Sequence, residues 1–239
     1  MDLLGSLGKS AGKGRIVRLI DTDLDGKADQ HNVFAKIDRP RGLISCGHQL
    51  FVLHTLIPET TGILTGMDLS VLEDRNGDGV ADGPLRTLIK DIFVAQHNRD
   101  RGADHTTNGI RMGIDGWIYI AVGDFGFVDA TATDGKKTHS TLGSGILRVR
   151  PDGTQMEVYN HGNRNIYDVA IDPYLNLFTR DNTNDGGGAR GVPSQKTQRR
   201  CEASLGKPPD RCGRRLRRNR RGRQVRGDFR ERIRSYAIL

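Results

Sequence analysis

Three polar clusters interrupt the strand-like pattern of the chain, and they hold residue types that move protons and bind polar ligands. The first spans 102–111 and contains His105, the second spans 162–168 and contains Arg164, and the third spans 180–188. Each follows or precedes a short apolar run, where loops gather and binding residues concentrate. A histidine can act as a general base near neutral pH, and a fixed arginine can stabilise negative charge. The alternatives are that His105 is an ordinary loop residue that forms hydrogen bonds, and that Arg164 forms a salt bridge in its loop.

Two nine-residue loops carry acidic residues at alternate positions. Residues 21–29 and 74–82 share the pattern D-x-[DN]-x-D-G-x-x-D and lie 53 residues apart. Carboxylates on such a tight loop turn inward, the glycine makes the sharp bend, and the last aspartate completes an oxygen cage suited to Ca²⁺. The closing glutamate of an EF-hand is missing, so we expect structural calcium loops between strands; the alternative is a hairpin turn without an ion. The predicted metal ligands are Asp21, Asp23, Asp25, Asp29, Asp74, Asn76, Asp78 and Asp82.

The elements that must position these residues are short strands. Apolar runs separated by Gly, Asp, Asn and Pro predict an all-β protein. No segment of a dozen residues shows a convincing helical period. Strands are expected at 15–20, 49–53, 69–72, 85–89, 117–122, 145–149, 156–159, 167–171 and 176–179.

Two internal repeats organise the predicted strands. The first matches 16–29 to 69–82, with a degenerate copy at 146–153. The second repeat occurs at 42–52, 109–120 and 168–179. Repeats of about 50 residues built from short strands are typical of β-propeller blades. About three to four blades fit between residues 14 and 188, so we predict an incomplete β-propeller.

The charge divides the chain after Gly188. Residues 189–239 contain 17 Lys and Arg against four acidic residues, whereas the whole chain has a net charge of only +8, so the preceding part is acidic. Sparse apolar residues and high charge predict a disordered tail. We interpret this tail as the accidental product of a frame change in a GC-rich gene. The alternative is a genuine basic arm that binds nucleic acid non-specifically. The predicted organisation is an N-terminal lead at 1–13, a partial propeller at 14–188 and the tail.

Composition excludes some other classes of protein. No run of about 18 apolar residues predicts a transmembrane helix. No secretory signal is visible near Met1, so the sequence alone leaves the localisation unknown. The three cysteines are too few and too scattered for a disulfide framework, and Cys46, which follows an apolar run, is expected to be a buried inert thiol.

The order of the motifs resembles the glucose/sorbosone dehydrogenase family. The motifs are H-x-x-x-G from His105, D-G-x-I-Y-x-x-x-G-D from Asp115, G-I-L-R-V-R-P-D-G from Gly145 and G-x-R-N from Gly162. The resemblance covers about 14–188 and is closer to a bacterial subgroup named as membrane-bound dehydrogenases. It implies a secreted or periplasmic β-propeller that uses pyrroloquinoline quinone and Ca²⁺.

The resemblance also implies roles for individual residues. His105 matches the base that takes a proton from a sugar or alcohol hydroxyl while hydride moves to the quinone. Arg164 matches the cation beside the quinone carbonyl, and Asn165, Asn184 and Asp185 match cofactor contacts. The expected function is that of a fragment of a quinone-dependent sugar or alcohol dehydrogenase. Because further blades of the family are missing, the alternative is a non-catalytic, calcium-stabilised propeller module that binds a partner.

Overall fold

The protein is described by a computed structural model, which covers residues 14–58, 60–93, 95–101, 105–138, 143–181 and 235–238. The described residues form strands with one short helix, α1 (Ala95–Arg101). The strands are β1 (Arg15–Ile20), β2 (Gln30–Lys36), β3 (Pro40–Cys46), β4 (Gln49–Leu56), β5 (Gly66–Glu73), β6 (Arg86–Lys90), β7 (Thr107–Met112), β8 (Ile118–Val122), β9 (Thr131–Ala132), β10 (Ser144–Val149), β11 (Glu157–Asn163), β12 (Val169–Ile171), β13 (Leu177–Thr179) and β14 (Ser235–Ile238).

The strands form four antiparallel sheets. The first sheet has the order β14-β1-β2, the second β3-β4-β5-β6-β9, the third β11-β10-β8-β7 and the fourth β12-β13. Strands β3 to β6 form a meander, and so do β7, β8, β10 and β11, with the two-residue β9 crossing over to the second sheet. The predicted all-β class is therefore confirmed, and none of the sheets is closed.

The nine predicted strands are all present. Short apolar runs bounded by turn residues located them, because only buried strand positions need apolar side chains. The predicted strands did not include β2, β3, β7, β9 and β14. β2 was missed because its sequence, Gln30–Lys36, has mostly exposed polar positions. The short helix α1 was also missed, since its sequence is polar and lacks an apolar period.

The main core lies where the second and third sheets pack. Phe51 and Leu69 of the second sheet and Ile120 and Leu147 of the third are fully buried in one cluster. Burial of such side chains contributes about 1.5–3 kcal/mol each. On another part of the third sheet, the Arg148 guanidinium lies 4.4 Å from the centre of the Trp117 ring. This core fixes the third sheet, whose strand ends carry His105 and Arg164.

The internal repeats are structural as well as sequential. In the β7–β8 hairpin, Ile110 pairs with Ile120, and in the β12–β13 hairpin, 59 residues later, Val169 pairs with Thr179. The turns match too, since Gly113 N donates to Trp117 O and Asp172 N donates to Asn176 O. The fourth sheet is therefore equivalent to the first two strands of the third sheet.

Two features differ from the sequence-based predictions. Cys46 is exposed rather than buried, because it lies at the end of β3 beside the turn to β4, where the sheet meets solvent. The tail was predicted to be disordered, but Ser235–Ile238 forms β14 and pairs with β1. A strand edge offers unpaired backbone groups to any extended segment, so pairing there does not require an apolar sequence.

Candidate functional site

The His105 cluster lies at one end of the third sheet. His105 lies two residues before β7, and Asp124 lies two residues after β8. Ser144, at the start of β10, is the register partner of Asn163 at the end of β11. Because the four strands are antiparallel, the beginnings of β7 and β10 and the ends of β8 and β11 meet at the same edge. Residues far apart in sequence are thereby collected into one loop surface.

His105 and Asp124 form a hydrogen-bonded pair through His105 Nδ1 and Asp124 Oδ1. Their side chains are 20% and 21% exposed, so the pair is partly shielded but reachable from solvent. The imidazole also stacks on Phe125, with ring centres 5.7 Å apart. A carboxylate at Nδ1 favours a proton on that nitrogen and leaves Nε2 with its lone pair. This arrangement orients a proton acceptor.

Gly123 allows the segment after β8 to approach His105. Its N–H donates to Thr106 O over 3.1 Å, and Phe125 N donates to His105 O over 3.3 Å. A β-carbon at position 123 would lie 2.2 Å from the His105 carbonyl oxygen, far inside contact distance. Only glycine fits there, and its absence of a side chain is what brings Asp124 to the imidazole.

Arg164 and Asn165 lie in a loop that is tied to the same edge. The Asp181 carboxylate accepts hydrogen bonds from Arg164 N at 2.9 Å and Asn165 N at 2.8 Å. Ile166 N donates to Ser144 Oγ over 3.0 Å, and Ser144 Oγ donates to Val122 O over 2.6 Å. The loop is therefore fixed against the end of β8, two residues before Asp124.

Three buried oxygens near this edge have no hydrogen-bond partner. They are Thr107 Oγ1, Asn163 Oδ1 and Asn165 Oδ1. Thr107 is fully buried and Asn165 is 5% exposed. An unsatisfied buried polar atom costs about 1–3 kcal/mol, so a ligand that supplies donors to these oxygens would recover that energy. Hydroxyl groups are donors of the right kind.

The two predicted calcium loops have the same internal hydrogen bonds. Asp21 accepts from Leu24 N at 2.7 Å and Gly26 N at 2.9 Å, and Asp74 accepts from Gly77 N at 2.8 Å and Gly79 N at 3.2 Å. The last aspartate of each loop closes it in the same way, by accepting from the backbone N–H of the second loop residue. The alternative reading of these loops, as hairpin turns closed by their own carboxylates, is thus compatible with the geometry.

The two loops differ in their surroundings. In the first, carboxylate oxygens of Asp21, Asp23 and Asp29 lie within 4.8 Å of one another, and among the described residues this is the group close enough to hold a metal. Asp25 is outside that group. Hydrogen bonds from Thr22 lower the pKa of Asp29, which keeps it a carboxylate.

The second loop is packed against the first sheet. Asp74 is only 2% exposed. Asn32 Nδ2 donates to Gly79 O over 2.5 Å, and a β-carbon on Gly79 would lie 2.1 Å from the Arg18 guanidinium. Gly79 also has a φ of 86°, so this position requires glycine. The second loop therefore acts as a contact between sheets, and the described side chains there do not form a metal group of the kind found in the first.

Sequence reasoning missed a buried polar group in the second sheet. His54 Nε2 lies 2.9 Å from Ser70 Oγ, and His54 is the register partner of Asp68. Burial lowers the pKa of His54 and raises the pKa of Asp68 to about 6. His54 and Asp68 each lie one residue outside a predicted strand, 49–53 and 69–72, and belong to no motif, so only the three-dimensional pairing reveals them. Sequence reasoning also missed Asp124 as the partner of His105, although Asp124 is the last residue of the D-G-x-I-Y-x-x-x-G-D motif.

The structure thus brings His105, Arg164 and Asn165 to neighbouring loops of one sheet edge. The predicted cofactor contacts Asn184 and Asp185 lie outside the described residues.

A protein-family model described as "Domain of unknown function (DUF7133)" matches residues 5–223. The chain belongs to this family. The residues matched by the DUF7133 model include both aspartate loops, His105 with the neighbouring loops of the third sheet, and the first part of the basic tail. No curated protein matches the chain. Within the residues that the structure describes, no helix is long and apolar enough to cross a membrane.

Proposed function

We propose that this DUF7133 chain is part of a β-propeller oxidoreductase that removes hydrogen from a sugar or alcohol hydroxyl. The observation that carries the proposal is the His105–Asp124 pair at the end of the third sheet, beside buried oxygens that lack partners. The two four-stranded meanders and the repeated hairpins are the arrangement that propeller blades use.

His105 is the proton acceptor in this proposal. Asp124 holds the proton on Nδ1, so Nε2 takes the proton from the substrate hydroxyl while hydride leaves the carbon that bears it. The product is a carbonyl compound, and the imidazolium that forms is stabilised by the Asp124 carboxylate. Positioned general bases contribute about 10²–10⁴ in rate.

The substrate is bound through its other hydroxyl groups. Thr107 Oγ1 and Asn163 Oδ1 accept hydrogen bonds from them, which supplies the partners that these two buried atoms lack. A polyhydroxylated compound satisfies several acceptors at once, so the proposal favours aldoses and sugar alcohols over simple alcohols.

In this proposal pyrroloquinoline quinone would be the hydride acceptor, as the family resemblance implies. Arg164 and Asn165 would hold it, since a guanidinium suits an anionic quinone and a buried amide with an unpaired oxygen suits a polar ring substituent. The quinone, when bound, supplies two-electron oxidation. The backbone of both residues is already held by the Asp181 carboxylate, so the loop that carries them is positioned before a cofactor binds.

Quinone binding and dehydrogenase activity test the proposal. Purified full-length protein is mixed with pyrroloquinoline quinone, Ca²⁺ and an artificial electron acceptor, and a panel of aldoses and polyols is screened. His105→Ala is expected to lower kcat/KM by about 10²–10⁴. The control is His48→Ala, because His48 is exposed and lies in the β3–β4 turn of the second sheet, whereas His105 lies at the end of the third.

Two results would overturn the proposal. The first is failure of the protein to bind quinone or oxidise any member of the panel. The second is activity that His105→Ala and His48→Ala leave equally unchanged.

A second function is favoured by the three clustered carboxylates of the first aspartate loop. In it the chain is a calcium-stabilised propeller module that binds a partner without catalysis. Ca²⁺ at 100 times its Kd would stabilise the fold by about 2.7 kcal/mol. A rise in Tm with Ca²⁺ but none with quinone distinguishes this module from the enzyme. Asp21→Asn should abolish the rise, whereas Asp100→Asn, in the exposed helix α1, should not; an unchanged rise in Asp21→Asn would reject the site.

A further inference from the structure

The second and third sheets each contain a complete four-stranded meander. The fourth sheet corresponds to the first two strands of that meander, and β1 and β2 of the first sheet correspond to its last two. β12 and β13 repeat β7 and β8, the first two strands of the third sheet. β1, the following aspartate loop and β2 repeat β5, its loop and β6, the last two strands of the β3–β6 meander. In both complete sheets the second strand pairs with the third, as β4 does with β5 and β8 with β10. No described strand lies on that side of β13.

The two complete sheets predict the same register between β13 and β1. In the second sheet Phe51 pairs with Val71, and in the third Tyr119 pairs with Arg148. Transferred through the two repeats, either pair places Phe178 opposite Arg18. The flanking pairs agree as well, with Leu177 opposite Leu19 and Thr179 opposite Val17. Two independent templates thus specify one register.

The side chains that this register brings together are complementary. Phe178 is 40% exposed, whereas its equivalents Phe51 and Tyr119 are 0% and 2% exposed. The Arg148 guanidinium lies 5.9 Å from the ring centre of Tyr119, its register partner, and Arg18 facing Phe178 reproduces that cation–aromatic contact. The same register sets Asp181 opposite Arg15, an opposite-charge pair.

We infer that β13 of one copy of this chain pairs with β1 of a second copy, so that each fourth sheet and the partner's first sheet make one complete blade. This inference rests on the proposed propeller architecture. The described residues supply two complete sheets and two halves, equivalent to three blades, whereas closed propellers have about four to eight. Two copies supply six blades and close with two identical interfaces, and three copies would exceed the usual number.

β14 marks the place that the partner's β13 takes. It lies on the same edge of β1, antiparallel, with Tyr236 at the register position opposite Arg18. β14 therefore occupies the slot of a second strand, with an aromatic residue at the position where the complete sheets have Phe51 and Tyr119. Dimer formation exchanges β14 for the partner's β13, strand for strand.

The experiment uses the full chain with Cys46, Cys201 and Cys212 replaced by Ser, which provides a background without thiols. Arg18→Cys and Phe178→Cys are combined in that background. Residues directly opposite in an antiparallel pair have Cα atoms about 4.5–5.5 Å apart, which a disulfide can span. The control combines Leu19→Cys with Phe178→Cys, which is one residue out of register. Light scattering of the unmodified protein over a range of concentrations gives its mass independently of any variant.

We expect the Arg18/Phe178 pair, but not the control pair, to give a disulfide-linked dimer on a non-reducing gel, and light scattering to give twice the chain mass of 26.4 kDa. An intrachain disulfide, equal cross-linking of both pairs, or a monomer at every concentration would overturn the inference. If the double variant does not fold, the mass of the unmodified protein decides. A cross-linked dimer without dehydrogenase activity keeps the dimer and rejects the proposed chemistry, and an active monomer does the reverse.

Discussion

His105 is held by a residue 19 positions later in the chain, and its chemical character depends on that contact. Neither side chain would be distinctive alone, because a lone histidine before a strand is an ordinary loop residue. Gly123 makes the contact possible by letting two backbone segments approach closely. The site is thus a product of strand pairing in the third sheet, and its residues can be tested one at a time.

Asp124→Asn should disturb the protonation of His105 without unfolding the sheet. The carboxylate accepts a hydrogen bond from Nδ1–H, whereas an asparagine side chain can also present its NH₂ group and so favour the other tautomer. The measurement is the ¹⁵N chemical shifts of the imidazole nitrogens at pH 8. We expect one tautomer in the unmodified protein and a mixture or the opposite tautomer in the variant, while the signals of His48 do not change. Identical His105 shifts in both proteins would contradict the contact.

Asp68 should make the free energy of unfolding fall between about pH 4 and pH 6. Burial, with a smaller contribution from the charge of Asp91, raises the pKa of Asp68 to about 6, while the hydrogen bond from Asp91 N opposes this. The folded protein therefore keeps a proton that the unfolded chain loses near pH 4. The resulting stabilisation is present below about pH 4 and is lost as the pH rises through 6.

Asp68→Asn removes this titration and retains an oxygen for the Asp91 N–H. The variant should be more stable than the unmodified protein at pH 7 by up to about 3 kcal/mol, and the gain should shrink towards pH 4. The comparison variant is Asp134→Asn, since hydrogen bonds from Gln155 and Lys136 lower the pKa of Asp134. Its loss of stability should have the opposite pH dependence, appearing at neutral pH and vanishing in acid. Urea unfolding at several pH values measures both, and a pH-independent gain for Asp68→Asn would refute the assignment.

At the scale of elements, the two aspartate loops show how one sequence pattern serves two settings. Both loops are closed by the same carboxylate-to-backbone hydrogen bonds, so the pattern alone explains their shape. The first is mostly exposed and gathers three carboxylates, whereas the second is wedged against Arg18 and Asn32 of the first sheet. The sequence pattern predicts the conformation of each loop. Whether the loop gathers carboxylates in solvent or packs against a sheet depends on its neighbours in the fold.

Asp74→Ala should therefore destabilise the protein more than the equivalent Asp21→Ala. Asp74 is buried, and its loss leaves the N–H of the buried Gly79 without this partner at about 1–3 kcal/mol. The corresponding N–H groups of the first loop can turn to water, so we expect a cost below about 1 kcal/mol there. Chemical denaturation with a chelator present isolates this effect from any bound Ca²⁺. Equal losses for the two variants would show that the loops are equivalent in setting as well as in shape.

For the whole molecule, the sequence was most informative where local chemistry decides the structure. Short apolar runs and Gly/Asp turns located the nine predicted strands and the repeats, because burial of one face and turn conformation are local demands. The partner of His105, the exposure of Cys46 and the pairing of β14 depend on which strands lie side by side, which no local pattern encodes. His105, Arg164 and Asn165 were found through the order of their motifs, whereas the buried His54 and Asp68 belonged to no motif.

Deletion of residues 235–239 should expose the edge of β1. In the full chain β14 covers that edge through four register pairs. Uncovered edge strands pair with other chains, so the shortened protein should associate more strongly at a given concentration. Sedimentation velocity measures this, and Ala237→Pro is the matched variant, since proline removes one backbone donor from β14 without shortening the chain. Unchanged association in both variants would show that β14 does not protect β1.

The stack of Arg148 and Arg150 on Trp117 has an optical consequence. Trp117 is the single tryptophan of the sequence, and the two guanidinium groups lie 4.4 Å and 4.0 Å from its ring centre. Its fluorescence therefore reports on one location, at the opposite end of the third sheet from His105. Release of the two cations on unfolding changes both the charge and the water around the indole, so its emission maximum and intensity follow the integrity of this sheet. Trp117 fluorescence is thus a label-free signal of the third sheet, which carries His105. A thermal melt followed by this fluorescence and by circular dichroism, which reports on all the strands, shows whether the third sheet unfolds together with the others.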